Sequence, residues 1–312
     1  MGSLVQMHKV LIMVLLLAAF ALPDQAMAQD LEPRRWGHLP SGMTIVGAGY
    51  AYTDSFVYFS PFWKITDTSA EINSLGVSAL YTFNMAGKSA RVSFLLPYLS
   101  GRWEGNVDNE YETVNLHGFS DPRLRLSVNL YGAPALKGTE YTRYRAQHPN
   151  NTVVGASLAV SAPLGQYDEE ELVNLGANRW AVRPQIGMVH SRGPWSFELT
   201  GSVFFFTDNN SFLDDAVLEQ ENLYTVQAHA IYNFKPGFWV SVSTGYGAGG
   251  RISVDEQQTR FEVDNWVYAA SFALPLGKSQ SLKLTWLSGR TQNLVGRDSD
   301  NLLLGWSVRW IN

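Results

Sequence analysis

Cysteine is absent from the 312 residues. That excludes a disulfide scaffold, a thiolate metal site and a cysteine nucleophile. Charge is scarce as well: Lys plus Arg and Asp plus Glu together make 16% of the chain, where soluble domains average about 25%. The net charge of −5 shows no basic excess, so no nucleic-acid partner is expected. Beyond the first 28 residues there is no run of about 18 apolar residues, so no transmembrane helix is expected there. Against these shortages stand 27 glycines and 13% aromatic residues, including ten tryptophans. Few charges and many rings suit a chain that does not meet water on every side.

The first segment reads as an address. Lys9 precedes an unbroken apolar run from Val10 to Leu22. Pro23 and Asp24 end it, and Ala26-Met27-Ala28 supplies a small-x-small cleavage pattern. The pattern predicts a secretory signal peptide over residues 1–28. Thirteen apolar residues are too few to cross ~30 Å of hydrocarbon as a helix, which argues against a membrane anchor.

The rest of the chain alternates apolar and polar residues with period two in segments of ~10 residues, the signature of half-buried strands. Between Asp121 and Tyr131, Leu124, Leu126, Val128 and Leu130 share one face, and Arg123, Arg125, Ser127 and Asn129 share the other. Thr152–Leu164, Arg179–His190, Trp195–Phe206 and Leu223–Phe234 repeat the pattern. Further candidates lie near Thr44–Tyr52, Asn73–Phe83, Ser89–Tyr98, Phe238–Tyr246, Asn265–Leu274, Ser281–Ser288 and Leu302–Trp310, giving twelve strands in all. The connections alternate in length. Asn84–Lys88, Ser191–Pro194, Lys235–Gly237 and Gly277–Gln280 are short. Asp54–Ile72, Leu99–Gly118, Gly165–Asn178, Thr207–Asn222, Ala248–Asp264 and Gly289–Asn301 are long. Short turns on one side and long loops on the other describe an outer-membrane barrel. Gly132–Asn151 breaks the rule, being long on the turn side, and its core Thr139–Gln147 suits a short helix.

Large rings on the apolar parity fall near strand ends, among them Tyr50, Trp180, Trp195, Tyr224, Phe234, Trp266, Trp306 and Trp310. Interfacial girdles require this, because amphipathic rings sit well at headgroup level. A soluble secreted β-protein would also alternate, but it would not need those rings. The reading is therefore all-β: a transmembrane antiparallel up-and-down β-barrel of about 12 strands after a cleaved signal peptide. Its expected parts are a signal peptide (1–28), an N-terminal segment (29–43) that is either a periplasmic tail or a lumen plug, and the barrel (44–312). Expected partners are outer-membrane lipid and lipopolysaccharide, the barrel-assembly machinery acting through the C-terminal strand, and a small-molecule solute. No cofactor is expected.

Several stretches carry a family likeness. They are Leu31-Glu32-Pro33-Arg34-Arg35-Trp36, Gly118-Phe119-Ser120-Asp121-Pro122-Arg123, Asn129-Leu130-Tyr131-Gly132-Ala133-Pro134-Ala135-Leu136 and Pro163-Leu164-Gly165-Gln166-Tyr167. Asn174-Leu175-Gly176-Ala177-Asn178-Arg179-Trp180, Phe206-Thr207-Asp208-Asn209 and Gly249-Gly250 complete the set. Together they resemble the outer-membrane transporter family named for the MetA pathway of phenol degradation. The resemblance implies a barrel that passes small aromatic or hydrophobic compounds. Two positions depart from the family pattern: Ser60 before Pro61, where an acid is expected, and Val267, where a basic residue is common.

Parity nominates Arg123, Arg125, Arg179, Arg183, Glu198, Gln227, His229 and Trp239 as lumen-lining residues. The inward arginines either favour anionic solutes such as aromatic carboxylates or knit a structural network with Glu198 and loop acids. His229 is either a titrating gate or a hydrogen-bonded wall residue. Asp168-Glu169-Glu170-Glu171 is either a cation-binding cluster or a solvated loop tip. Arg34, Arg35 and Trp36 are the candidate plug residues.

An outer-membrane lipid hydrolase would need a serine beside a general base at the lipid face. His190 has lipid-facing parity but lies at the periplasmic end of its strand, and His229 faces inward. No Gly-x-Ser-x-Gly occurs, and the Gly-Lys-Ser triplets at Gly87 and Gly277 lack the upstream glycine of a phosphate loop. No metal constellation is expected. The expected function is passive uptake of a small solute, with a plugged structural or adhesive barrel as the alternative class and the hydrolase as a third.

Overall fold

The computed structural model describes residues 31–58, 65–107, 110–171, 173–213, 216–259 and 261–311. The expected signal peptide and Ser60-Pro61 lie outside the described residues. The strands are β1 (Met43–Tyr58), β2 (Ile65–Met85), β3 (Lys88–Val107), β4 (Glu110–Phe119), β5 (Arg123–Tyr131) and β6 (Asn151–Ser161). They continue with β7 (Ala181–Arg192), β8 (Trp195–Phe206), β9 (Asn209–Phe212), β10 (Ala216–Gln220), β11 (Leu223–Lys235) and β12 (Phe238–Gly249). The last are β13 (Ile252–Val254), β14 (Gln257–Gln258), β15 (Val263–Leu276), β16 (Gln280–Thr291) and β17 (Gly296–Ile311). Among the described residues one helix, α1 (Gly138–Gln147), interrupts them where the sequence suggests it.

All the wall strands are antiparallel, and the sheet closes when β1 pairs with β17 from Met43↔Ile311 to Tyr58↔Gly296. Hydrocarbon offers no water to satisfy strand edges, so closure is what permits a sheet to span. The ring holds twelve strand positions because β4 and β5 share one. β4 pairs with the upper half of β3, from Tyr98↔Phe119 to Val107↔Glu110, and β5 with its lower half, from Ala90↔Val128 to Leu95↔Arg123. The break between them falls at Ser120–Pro122, where proline cannot donate to a ladder.

The parity reading holds in detail. Leu124, Leu126 and Leu130 are exposed on the outer wall while Arg125, Ser127 and Asn129 are buried inside. Trp180, Tyr224 and Trp266 are exposed toward the loop side, and Trp195, Phe234 and Trp310 toward the turn side. Four hairpin turns are as short as expected, and each uses a left-handed glycine: Gly87, Gly193, Gly237 and Gly277.

Several expected loops are strands. Asp54–Ile72 and Leu99–Gly118 instead continue β1, β2, β3 and β4 well past the membrane, with Asp54 opposite Glu71 and Glu104 opposite Thr113. Their inner face is still buried at Ser55, Val57, Thr68, Ala70 and Trp103, but the outer face meets water and carries polar residues such as Asp54 and Glu71, so the apolar-out alternation is lost. Within Thr207–Asn222 and Ala248–Asp264, β9, β10, β13 and β14 form a separate small sheet. Its Phe212, Leu218, Ile252 and Val254, with Phe261 just before β15, pack on Phe204, Leu223 and Val263, inward residues at the tops of wall strands. An apolar cluster thus sits over the outer mouth.

Candidate functional site in the barrel lumen

The N-terminal segment, residues 31–42, runs through the barrel interior. At its foot, Gly42 N–H bonds Thr82 O and Ser41 N–H bonds Leu136 O, both at 2.8 Å, so the chain turns inward at the turn-side rim. Trp36 is fully buried, and its indole N–H donates to Thr200 Oγ1 at 2.8 Å. The ring fits because the wall opposite has no side chain. A Cβ on Gly155 would lie 2.5 Å from the indole, and one on Gly187 would lie 2.2 Å from it. Ala133, Val153 and Val189 complete the pocket. Across the lumen, Leu31 packs on Val267 and Ala269 of β15. The segment therefore bridges opposite walls, and Val267 forms part of its apolar seat.

Polar groups fix it further. Glu198 receives the backbone N–H of Arg34 at 2.6 Å and of Trp36 at 3.4 Å. Glu32 forms ion pairs with Arg125 and Arg35, each at 2.8 Å, and Arg35 also donates to Gln185 Oε1 at 2.9 Å. Burial pushes the Glu32 carboxyl upward, but the Arg35 and Arg125 guanidiniums outweigh it and hold it well below the usual carboxylate range. Arg34, with positive φ, places its guanidinium over the Trp239 ring, 5.4 Å from the centroid. Trp239 packs with Ile231 and Ala273 at the floor.

Helix α1 clasps the segment where it leaves the barrel. Tyr141 Oη donates to His38 O at 2.9 Å, and the His38 ring meets Tyr141 and Tyr144 edge-on at 4.9 and 5.5 Å. His38 Nε2 donates to Pro134 O at 2.8 Å, which leaves Nδ1 as the unprotonated nitrogen. Burial holds this imidazole below its usual value, against the pull of the Pro134 carbonyl.

The upper lumen is built differently. The Asp121 carboxylate at the β4–β5 break accepts N–H from Gly165 at 2.7 Å and from Ala177 at 2.8 Å. This clamps residues 165–177 inward, so that Val173 and Leu175 pack on Ala70 and Trp103. Arg179 stacks on Phe206 and Arg183 on Phe204, at 4.7 and 4.4 Å to the ring centroids. Arg179 also donates to Gln220, and Arg183 Nε donates to Ser202 Oγ at 3.1 Å. Arg123 lies on the same inner face as Arg125, Gln227 is buried, and His229 Nδ1 meets Ser243 Oγ at 2.7 Å. Asp168–Glu171 is solvent-exposed. Among the described residues no group of His, Asp and Glu could hold a metal ion. On the outer wall His190 meets a threonine hydroxyl, Thr152 Oγ1 at 2.8 Å, rather than a serine.

The sequence therefore nominates wall residues that do meet in one lumen, but Glu198 is tied to the segment's backbone, a role that parity does not reveal. Glu32, Thr200, Gln185 and Asp121 escape that nomination. Their only signal is membership of the motif stretches or inward parity, since apart from the Glu32–Arg35 pair their partners are distant in sequence.

The chain matches the family described as "Putative MetA-pathway of phenol degradation" over residues 48–297. No curated protein matches it. Among solved structures, the COG4313 outer membrane channel from Pseudomonas putida F1 superposes with a TM-score of 0.75 at 21% identity, covering 90% of this chain and 100% of that chain. The transport unit of the autotransporter AIDA-I from Escherichia coli gives 0.51 at 11% identity, covering 92% of this chain and 95% of that chain. The translocator domain of autotransporter NalP from Neisseria meningitidis gives 0.51 at 10% identity, covering 94% and 99%. At these identities the likeness is one of fold. A closed barrel with an apolar, ring-girdled outer wall belongs in the bacterial outer membrane. Because the match runs over nearly the whole barrel wall, the chain belongs to this MetA-pathway family of outer-membrane β-barrels.

Proposed function

We propose that the protein is a passive outer-membrane channel for small hydrophobic or aromatic solutes, and that residues 31–42 form its stopper. One observation carries the reading: the lumen is filled by a segment that is not part of the wall. Barrels of about eight strands close their lumens with wall side chains alone. A twelve-stranded wall is wider, and here the extra space is taken by a strap anchored through Trp36, Glu32 and Leu31. A segment that contributes no wall strand can move without breaking the ring. The naming of the Pseudomonas putida relative as an outer membrane channel supports the reading, and the family description supports an aromatic solute. The solute would bind weakly along inward groups such as Arg125, Gln227 and Trp239, without energy input. Catalysis is not part of this function. Lipid and lipopolysaccharide would surround the wall, and β17 would present the end engaged by the assembly machinery.

Single-channel conductance in a planar bilayer tests the proposal, on the folded protein with and without residues 29–42. Small or rare steps that become large after truncation are expected. Silence in both forms would overturn the channel and leave a structural or adhesive barrel.

A further inference from the structure

The lipid face of the wall is not evenly filled. Between β8 and β12 it sinks into a depression of about 590 Å³. Ala228 and Ala230 of β11 form its floor. Phe197 and Leu199 of β8 make one bank, and Val242 and Thr244 of β12 make the other, each opposite one of the alanines in the ladder. A second depression of about 490 Å³ shares Ala230 and Val242 and runs on past Ala270 to Trp286. Together they make one furrow, lined mainly by apolar side chains. An apolar hollow does not hold water, so hydrocarbon must supply the contacts that its floor lacks.

Headgroup chemistry stands at the turn-side end of this furrow. Trp195 and Tyr232 close that end, edge to face with centroids 5.0 Å apart. Arg192 is the ladder partner of Trp195. Lys235 lies on the neighbouring turn, which is tied to this one by Asn233 N–H donating to Pro194 O at 2.8 Å. Both cations are exposed. His190 also lines the furrow, and its Nδ1 meets Thr152 Oγ1 at 2.8 Å. A polar pair on a lipid face is favourable only where polar groups of the lipid reach it. Charge points the same way. Lys88, Arg192, Lys235 and Lys278 put one cation on each of the four hairpin turns, and those turns carry no acid. Turns of such a barrel are periplasmic, so these cations stand at the phosphates of the inner leaflet.

We propose that the furrow is a binding site for one anionic glycerophospholipid of the inner leaflet. Its phosphate sits between Arg192 and Lys235, and one acyl chain lies over Ala230 and Ala228. The site needs a membrane-spanning wall but not an open lumen, so it stands or falls separately from the channel reading.

The test is native mass spectrometry of the folded protein, released from nanodiscs that hold phosphatidylglycerol and phosphatidylcholine in equal amounts. One phosphatidylglycerol per barrel is expected to remain, in preference to phosphatidylcholine. Ala230→Phe fills the floor and should lower retention roughly tenfold, by displacing methylenes from the wall. Arg192→Gln combined with Lys235→Gln should cut the preference for phosphatidylglycerol roughly tenfold. Lys88→Gln combined with Lys137→Gln, on the far side of the ring, should leave that preference unchanged. Heat-modifiable migration confirms that each variant folds, and Ala228→Leu serves if Ala230→Phe does not. Equal retention of the two lipids overturns the proposal, as does full retention in the filled variant. Equal loss from the two charge pairs overturns it too, because diffuse charge would then suffice. Displacement of the lipid by inorganic phosphate would show a simple anion site, and preferential retention of lipopolysaccharide would put the furrow in the other leaflet. Either result overturns the assignment.

Discussion

Replacing Trp36 with alanine should unlatch the strap while leaving the wall standing. The indole is fully buried, its N–H donates to Thr200, and its ring occupies space that Gly155 and Gly187 leave empty. Truncating a buried tryptophan costs about 3–5 kcal/mol. No wall ladder passes through residue 36, so the cost falls on seating of the strap rather than on barrel closure. The seated-to-unseated ratio should fall by roughly 10²- to 10⁴-fold. Single-channel recording reads this as a rise in open probability, with unchanged heat-modifiable migration as the folding control. Gly155→Ala supplies the reciprocal test, because its methyl would lie 2.5 Å from the Trp36 ring. It should open the channel when Trp36 is present and do little on the Trp36→Ala background, since the colliding ring is gone. If Gly155→Ala acts equally in both backgrounds, or if Trp36→Ala records like the parent, the ring is not what holds the strap.

Leu126 is exposed to lipid near the middle of β5. Leu126→Arg should reduce stable assembly, since a midplane arginine costs ~2–4 kcal/mol. Normal yield and migration of this variant would contradict its placement. Asp121→Asn leaves one acceptor oxygen for two N–H donors, which should loosen residues 165–177 by about 1.5–3 kcal/mol. Hydrogen exchange at Gly165 and Ala177 should accelerate while β5 and β6 stay protected, and unchanged exchange would refute the clamp. Glu32 and His38 on the strap act in different pH windows. Glu32 is depressed when seated, so its latch is complete above the ordinary carboxylate value of about 4.3 and fails only as pH falls through the lower seated value. His38 is depressed by burial, so the released form takes up the proton first and docking on α1 weakens as pH falls below about 6.5. His38→Gln should therefore remove the part of any conductance change between pH 7 and 5 that comes from docking on α1, and a pH profile identical to the parent's would exclude His38 as a cause.

All twelve ring positions are visible in the sequence because one lipid face enforces strict alternation, as at Leu124, Leu126 and Leu130. The signal fades where that constraint ends. Beyond the membrane, Asp54, Glu71 and Glu104 lie on paired strands but meet water outside and carry no period. The small extracellular sheet uses strands of two to five residues, too short for any period to register. Within the lumen, parity identifies Arg125 and Arg183 as inward-facing but says nothing about partners. Glu32 meets Arg125, 93 positions away. Glu198 looks like a wall acid until the backbone of Arg34 is brought against it. The motif stretches gain a physical meaning only in three dimensions. They supply the strap, the Pro134 carbonyl that holds His38, and the clamp built on Asp121.

The strap precedes β1, yet its seat on β8 lies 164 residues later, at Thr200. Half the wall must therefore exist before Trp36 has anywhere to go. Closing a loop of that length carries a large entropic cost, so seating is a late event in assembly and the first contact to be given up under stress. Wall and strap are then separate cooperative units joined at Met43. Denaturant should release Trp36 to water in one transition and unzip the barrel in another, so that a partly denatured molecule is an open cylinder rather than a collapsed one.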